Sequence, residues 1–559
     1  MALRPVSGID PITLEVVRNK LDGIANEMEL TLLQSSFSPI VKESMDASAS
    51  LFTIEGETLS QAIAIPAHLA FLIPCVGNVI KCFPVETMKP GDAYVMNDPY
   101  AGGTHLPDLA VVMPVFAGDR VIALSATMTH HQDLGGMQPG SVPTNATEIY
   151  QEGVRIPALK LRDAQGWNET LVAMLKLNVR IPDVFMGDLN AQVAACTIGA
   201  RRVSALAEVY GDNHLTALFA ELLDRSETMT RQAIAKLPQG TFRCVDFLDN
   251  DGIDLDRRVR IEVAAIVDGD TITFDFTGTS PQVKGPINCV PSGAKAAAYY
   301  AVRSLTGPQI PTNGGCFRPV KLVLPEGSLV NPREPAPVNT RTLTIKLASA
   351  CMIGAFREAM PDRLPASDAV DMHAVVWGGV RSDGRRYVVS ECIGSGSGAA
   401  AHRDGIDVVE TDVTNCMNLP VEALELDCPI RVHRTEVRPD SGGAGLYRGG
   451  LGIVREYEVL DGTVALTHRG ERFYSTAPGL AGGEPGASAI SHIVRADGTV
   501  EVIPSKRVCT LGAGDRLVVE TAGGGGYGDK RTRSEAAIRG DVANGKVTPE
   551  AARAVWGVS

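Results

Sequence analysis

Near Gly240 the hydrophobic period of the chain changes, and this change limits the folds open to it more than any other feature. Over residues 183–237 apolar side chains recur at helical spacing, with Leu189, Val193, Cys196 and Ala200 on one face. Gly211 interrupts the stripe and Leu215, Leu218, Leu222 and Leu223 resume it, which predicts two long helices. Beyond Gly240, Val259, Ile261, Val263, Ala265 and Val267 alternate up to Asp268-Gly269-Asp270, and Ile272, Phe274 and Phe276 alternate after it, the mark of a hairpin. A period of 3.6 and a period of 2 cannot belong to one element type, and 559 residues exceed one core of ~100–200 residues. The expectation is a multidomain α+β protein of mixed sheets, with a long-helix segment and a strand-rich C-terminal half. Its three regions are residues 1–240, 241–365 and 366–559.

Local signals fill in this outline. Asp10 can cap a first helix with Pro11 in its first turn, and Leu14, Val17, Leu21, Ile24, Met28 and Leu32 form its buried stripe. Residues 109–116 and 121–126 read as neighbouring strands. Helices are expected over 293–305 and 343–360. After about Pro365 short strands and glycine turns dominate, up to a tail helix that Ser534 caps and that runs towards Asn544. No repeat of fixed period is present.

Charge and cysteines exclude several classes. A formal charge of -13 is the wrong sign for a surface that tracks nucleic-acid phosphates. Eleven cysteines without a C-x-x-C pair suit reduced thiols, and no secretory leader opens the chain, so a cytoplasmic location is expected. The uncharged stretch 62–80 is long enough to span a membrane, but Pro66, His68, Pro74 and Asn78 mark it as a buried, broken core segment.

Two polar loops carry the sharpest chemistry. One runs from Asn97-Asp98-Pro99 to His105-Leu106-Pro107-Asp108, and the other from Thr129-His130-His131-Gln132-Asp133 to Gly135-Gly136. Imidazoles and carboxylates are the donors a borderline divalent cation takes, and His105, Asp108 and His130 could form an open coordination face if the intervening strands pair. Asp98 or Asp133 could then orient an imidazole. The alternative is that these groups cap turns; three of ten histidines within 27 residues favour the cation. Lys42-Glu43-Ser44-Met45-Asp46 reads as a surface ion pair, with Asp46 a further candidate ligand, and His68 as a satisfied core histidine.

Other motifs point away from alternative chemistries. The glycine runs at 394–398, 441–445, 448–452 and 523–528 match no phosphate-binding loop and read as tight turns at positive φ. Asp249-Asn250-Asp251-Gly252 lacks the distal Glu of a calcium loop and reads as a hairpin turn. No G-x-S-x-G elbow is present, and Cys316 reads as a small buried residue.

Together these segments resemble the hydantoinase B/oxoprolinase family, the subunit class shared by ATP-dependent hydantoinases, 5-oxoprolinase, caprolactamase and acetone-type carboxylases. The likeness runs nearly end to end. Its motifs are Asp10-Pro11, Glu27-Met28, Lys42-Glu43 with Asp46, Asn97-Asp98-Pro99 through His105, and His130 through Gly136. Later come Ile310-Pro311-Thr312-Asn313-Gly314-Gly315-Cys316, Asp440 through Gly445 with Arg448-Gly449-Gly450, and Gly523 through Gly528. The resemblance implies a divalent metal, zinc or manganese, on His105, Asp108 and His130, with Asp46 or water as a fourth ligand. It also implies an ATP-using partner chain of the hydantoinase A type, in a hetero-oligomer such as A2B2, that phosphorylates a cyclic amide whose ring opening this chain completes. His131 or Asp133 would act as or orient the general base. Thr129-His130-His131-Gln132 and Pro337-Val338-Asn339-Thr340 depart from the commonest family forms and leave the substrate open. The other readings are a ketone carboxylase subunit and a non-catalytic scaffold.

Overall fold

The Asp10 carboxylate accepts hydrogen bonds from the backbone N–H groups of Ile12 and Thr13, and from this cap helix α1 (Pro11–Ser35) runs with its expected stripe buried. The computed structural model describes residues 9–558; residues 1–8, on which the expectation of no leader rests, lie outside them. After the short α2 (Pro39–Lys42) come β1 (Ala47–Phe52), β2 (Thr58–Gln61), α3 (Pro66–Cys82), β3 (Ala93–Met96), β4 (Asp108–Ala117), β5 (Arg120–His130), β6 (Leu159–Asp163) and β7 (Gly166–Trp167). The strands form one antiparallel sheet in the order β2-β1-β5-β4-β3-β6-β7.

The stretch 62–80 is a correction: from Pro66 on it is not broken but belongs to the continuous helix α3, with Pro74 inside it. A proline there costs about 3 kcal/mol. Burial of Phe71, Leu72, Val76 and Val79 returns roughly 1.5–3 kcal/mol apiece, so the helix survives.

After α4 (Glu169–Asn178), the two expected helices are α5 (Pro182–Tyr210) and α6 (Asp212–Ile234), parted by Gly211 at φ +79°. Helix α5 lies across β4 and β5 and against α1. Gly199 permits the approach, since a Cβ there would stand 2.4 Å from Met28 Sδ and 2.5 Å from Ser125 Oγ. A second sheet, in the order β11-β10-β9-β8, comprises β8 (Gly240–Leu248), β9 (Val259–Asp268), β10 (Thr271–Asp275) and β11 (Val320–Val323). Helices α7 (Pro291–Thr306) and α8 (Arg341–Gly354) pack on each other, and α8 stops short of the expected 360.

The remaining strands are β12 (His373–Val380), β13 (Arg386–Ile393), β14 (Ile430–Val437), β15 (Ile453–Val459), β16 (Thr463–Arg469), β17 (Ile490–Val494), β18 (Val500–Ile503), β19 (Lys506–Gly512) and β20 (Arg516–Glu520). They divide into sheets ordered β13-β12-β16-β19 and β14-β15-β20-β17-β18, with α9 (Val421–Asp427) before β14. Two short helices close the chain, α10 (Glu535–Ala543), capped by Ser534, and α11 (Pro549–Trp556). No helix among the described residues is long and apolar enough to cross a membrane.

The glycine runs are a second correction. Of their glycines only Gly528 has a left-handed φ, +74°. The others lie backbone against backbone: Gly450 N–H donates to the Ser397 carbonyl at 2.8 Å, Gly524 N–H to Gly450 at 2.9 Å and Gly443 N–H to Gly524 at 2.9 Å. A Cβ on Gly524 would stand 2.0 Å from the Ser397 oxygen, so the requirement is close approach, not a turn. The run at 249–252 lies, as expected, in the loop of a hairpin, the one joining β8 at Leu248 to β9 at Val259. It ties the second sheet to the C-terminal region, Asp249 accepting from Phe473 N–H at 2.9 Å and Asn250 donating to Ser505 Oγ at 3.0 Å.

Candidate metal-binding site

Strand register gathers the site. Asp108 and His130 face each other as the terminal pair of β4 and β5, and the His130 N–H donates to the Asp46 carbonyl at 3.1 Å, at the entrance to β1. Asp46, His130 and Asp108 thus stand at the ends of three adjacent strands. His105 comes from the loop before β4, His68 from the first turn of α3, and Arg341 from the first turn of α8.

The acids Asp46 and Asp108 and the imidazoles of His68, His105 and His130 are all buried, and their contacts converge. Asp108 Oδ2 accepts from Arg341 Nη2 at 2.6 Å and from Thr104 Oγ1 at 2.7 Å, which leaves Oδ1 facing His105 Nε2 at 3.1 Å and His68 Nε2 at 4.0 Å. His68 Nε2 also lies 3.4 Å from Asp46 Oδ1. The His105 and His130 rings are 5.1 Å apart. His105 Nδ1 lies 3.0 Å from the Asn339 carbonyl, a bond that needs the proton on Nδ1 and so leaves a lone pair on Nε2. That lone pair then faces a carboxylate oxygen at 3.1 Å, an approach of two acceptors that a proton or a cation would make favourable. His105 Nε2, His68 Nδ1 and His130 Nδ1 have no hydrogen-bond partner.

Burial sets the charge states. It lowers His68 and His105 to about 4 and His130 well below the usual imidazole range, with Arg341 adding to the effect at His105, so the imidazoles are neutral and able to ligate. Asp46 is pushed up to about 8 by burial and by the neighbouring Asp108. For Asp108, burial is outweighed by the Arg341 guanidinium at 2.6 Å, which holds its carboxyl well below the ordinary range.

Two small chambers meet here, with about 30 Å3 and about 20 Å3 of free space, together room for roughly three or four waters or for small ions in their place. They share Asp46, His130, Met372 and Arg469. Among the described residues no group of three or more His, Cys, Asp or Glu side chains is arranged to hold a metal ion. The donor chemistry fits a borderline divalent cation; the donors as placed are not drawn around one point.

Several expectations are corrected. His131 follows His130 directly and so faces the opposite side, where its Nε2 meets Gln192 Oε1 at 2.9 Å and its ring packs on Phe185. Asp133 accepts from the N–H groups of Gly135, Gly140 and Arg180 and from the Arg180 guanidinium at 2.8 Å, a turn anchor. Neither lines the chambers, so both are set aside as the general base. Asp98 caps a 3-10 turn and pairs with Arg155 at 2.9 Å instead of orienting an imidazole. Asp46 is buried, not part of a surface pair, and His68 is not a satisfied core histidine. Arg341 and Arg469, which no local motif announces, reach the site from distant segments. Cys316 is buried as expected.

The matched family model, hydantoinase B/oxoprolinase, covers residues 10–530, and the chain belongs to this family. It is 34% identical to the B-type chain of a putative D-/L-hydantoinase from a Pseudomonas species (99% of this chain, 95% of that one). It is 32% identical to the beta chain of the caprolactamase of Pseudomonas jessenii (98% and 96%). The 5-oxoprolinase of Saccharomyces cerevisiae is 31% identical, but the chain spans only 42% of its length. The crystal structure of the ATP-dependent caprolactamase of Pseudomonas jessenii superposes with a TM-score of 0.90 at 30% identity over 98% of this chain and 96% of that one. An acetone carboxylase structure shares the fold, with a TM-score of 0.90 at 20% identity over 98% of this chain and 80% of that one.

Proposed function

We propose that this chain is the ring-opening subunit of an ATP-dependent cyclic-amide hydrolase, acting on a hydantoin, lactam or 5-oxoproline-like substrate that a hydantoinase A-type partner has phosphorylated. The observation that carries this reading is the gathering of Asp46, His105, Asp108 and His130 on one buried chamber, with His105 Nε2 left unanswered 3.1 Å from an Asp108 carboxylate oxygen. These four side chains would hold a divalent cation, zinc or manganese, with His68 beside them. A cation there would supply Lewis acidity.

The chain's own groups do the rest. The Asn339 carbonyl fixes the His105 tautomer, so that Nε2 is the atom offered to the chamber. Arg341 and Thr104 hold Asp108 by one oxygen and turn the other inwards. His68, with Nε2 3.4 Å from Asp46 Oδ1, replaces His131 and Asp133 as the candidate base; burial lowers it to about 4, so it takes a proton there against that burial, with the Asp108 carboxylate as the opposing charge. Phe71, Ile345 and Met372 wall the chamber and exclude bulk water.

Near-complete coverage of the hydantoinase and caprolactamase chains, against 80% of the acetone carboxylase chain, favours hydrolysis over carboxylation. The test is elemental analysis of the purified chain beside His105→Ala and His130→Ala, followed by reconstitution with a hydantoinase A-type ATPase. About one divalent metal per chain, lost in both variants, and ATP-dependent ring opening are expected. Metal unchanged by both substitutions would overturn the ligand set, and ATP turnover that requires bicarbonate would point to carboxylation.

A further inference from the structure

Arg469 is the last residue of β16, its backbone paired with Ala374 on one side and Lys506 on the other. Its side chain lines both chambers and is only 5% exposed. Nε and Nη1 have no hydrogen-bond partner, and Nη2 has only the Met372 sulfur at 3.9 Å. The other buried arginines are all paired: Arg341 with Asp108 at 2.6 Å, Arg455 with Glu391 at 2.5 Å, Arg472 with Asp246 at 2.7 Å, Arg533 with Asp541 at 2.6 Å and Arg448 with Asp407 at 3.1 Å. Arg469 has no carboxylate within 4.0 Å among the described residues. A guanidinium does not shed its proton, and a buried charge without a counter-ion is strongly disfavoured, so this one implies an anion that the folded chain does not itself provide.

Two of the nearby acids are committed elsewhere, Asp108 to Arg341 and Glu391 to Arg455 and Tyr457. Glu410 accepts from the Cys416 N–H at 3.0 Å through one oxygen, and its other oxygen, without a hydrogen-bond partner, stands beyond 4.0 Å of Arg469. Asp46, the remaining carboxylate on the shared wall, lies beyond ion-pair distance. We propose that Arg469 binds the phosphoryl oxyanion of the activated substrate, holding it on the wall common to the two chambers beside His130 and Asp46. The planar fork suits paired oxygens on one phosphorus or carbon atom. Of the two, a phosphoryl group carries the larger negative charge and the more strongly accepting oxygens, and so is the better counter-ion for a guanidinium with no carboxylate within 4.0 Å. The source of this anion rests on the ring-opening reading; the existence of the anion site does not.

Titration calorimetry of inorganic phosphate into the metal-loaded full chain tests the site, with R469Q, R469K and acetate as arms and metal content and circular dichroism recorded for each. One phosphate per wild-type chain is expected, weakened about 10- to 100-fold in R469Q, as for a lost charge-assisted hydrogen bond, and less in R469K, with metal content unchanged and acetate weaker than phosphate. If R469Q does not fold, R469K carries the test through the loss of the fork. Equal phosphate affinity in the variants, or no phosphate binding by the wild type, overturns the proposal. Acetate as tight as phosphate overturns the phosphoryl assignment in favour of a carboxylate. Phosphate binding that depends on Arg469 in a chain that opens no cyclic amide with its partner would keep the site and overturn the ring-opening reading.

Discussion

The chain buries two clusters of histidine, and only one has the makings of a site. In the C-terminal sheet His373 and His468 meet Nε2 to Nε2 at 2.9 Å, His468 reaches Ser491 Oγ at 3.0 Å, and Phe473 packs on both rings. Gly470 lets the chain pass, a Cβ there standing 2.5 Å from His373 Nδ1. Near the N-terminal sheet His68, His105 and His130 do not bond one another; two carboxylates point among them, and free space remains. Both clusters leave a ring nitrogen without a partner, so an orphaned nitrogen alone does not mark a site. The difference lies in convergent carboxylates. Asp371, 3.5 Å from His373, is the C-terminal cluster's near acid, and burial pushes it up to about 7, as burial pushes Asp46 up to about 8; what the N-terminal cluster adds is Asp108, held in the charged form beside Arg341.

The sharpest way to break this contrast is to remove one imidazole from each cluster. His105→Ala is expected to cut bound divalent metal and ring opening by at least about a hundredfold, more than loss of a supporting contact, whereas His468→Ala keeps its metal and loses stability. Elemental analysis and unfolding curves on the same preparations decide it; metal loss in His468→Ala would erase the distinction. The carboxylates come next. Asp108→Asn strips Arg341 of its ion partner in a buried setting and is expected to cost about 3–5 kcal/mol in denaturant unfolding of the cation-free chain. Asp371→Asn keeps an acceptor for the Glu471 N–H and removes a carboxyl already near neutrality, so its cost is expected to be smaller.

These contrasts were unequally legible in the sequence. The pairing of Asp108 with His130 follows from two apolar runs joined by a short turn, because a hairpin's register brings the two ends together. His131 and Asp133 show where local reading stops. Adjacent residues at a strand end point to opposite faces, and only the position of α5 decides which face is the site. His68 and Arg341 enter from helices whose placement depends on long-range packing, so no spacing announces them. The glycine runs misled for a related reason: a turn and a backbone packed against another backbone both require glycine, and only the partner segments distinguish them. The period change near Gly240 survived because amphipathic periodicity depends on burial of one face and not on what covers it.

Acid separates the clusters next. Burial lowers His373 to about 3, far under its unfolded value of about 6.5. The unfolded chain therefore binds the proton first as pH falls, so this contribution is complete above pH 6.5 and is lost as pH drops towards 3. His373→Gln is expected to flatten the stability curve by about 1.4 kcal/mol per pH unit over that window. In the cation-free chain His68 and His105, both lowered to about 4, add the same slope between pH 6.5 and 4. Unfolding measured at pH 7 and pH 5 checks the sign; a His373→Gln curve as steep as the wild type would mean that this imidazole stays neutral in both states or charged in both.

The smallest expected effect tests whether the C-terminal pair is a closed network. Ser491→Ala removes one of the two contacts at His468 Nε2 and leaves His373 as the other, so no ring nitrogen is newly abandoned. The loss should then be that of one ordinary hydrogen bond, about 1 kcal/mol by denaturant unfolding, with metal content unchanged. A loss near 3 kcal/mol would mean that the serine fixes the tautomers of both rings. The pair would then be a cooperative unit, and the contrast with the N-terminal cluster would lie in which group sets the proton position: a hydroxyl in the C-terminal sheet, and the Asn339 carbonyl at His105.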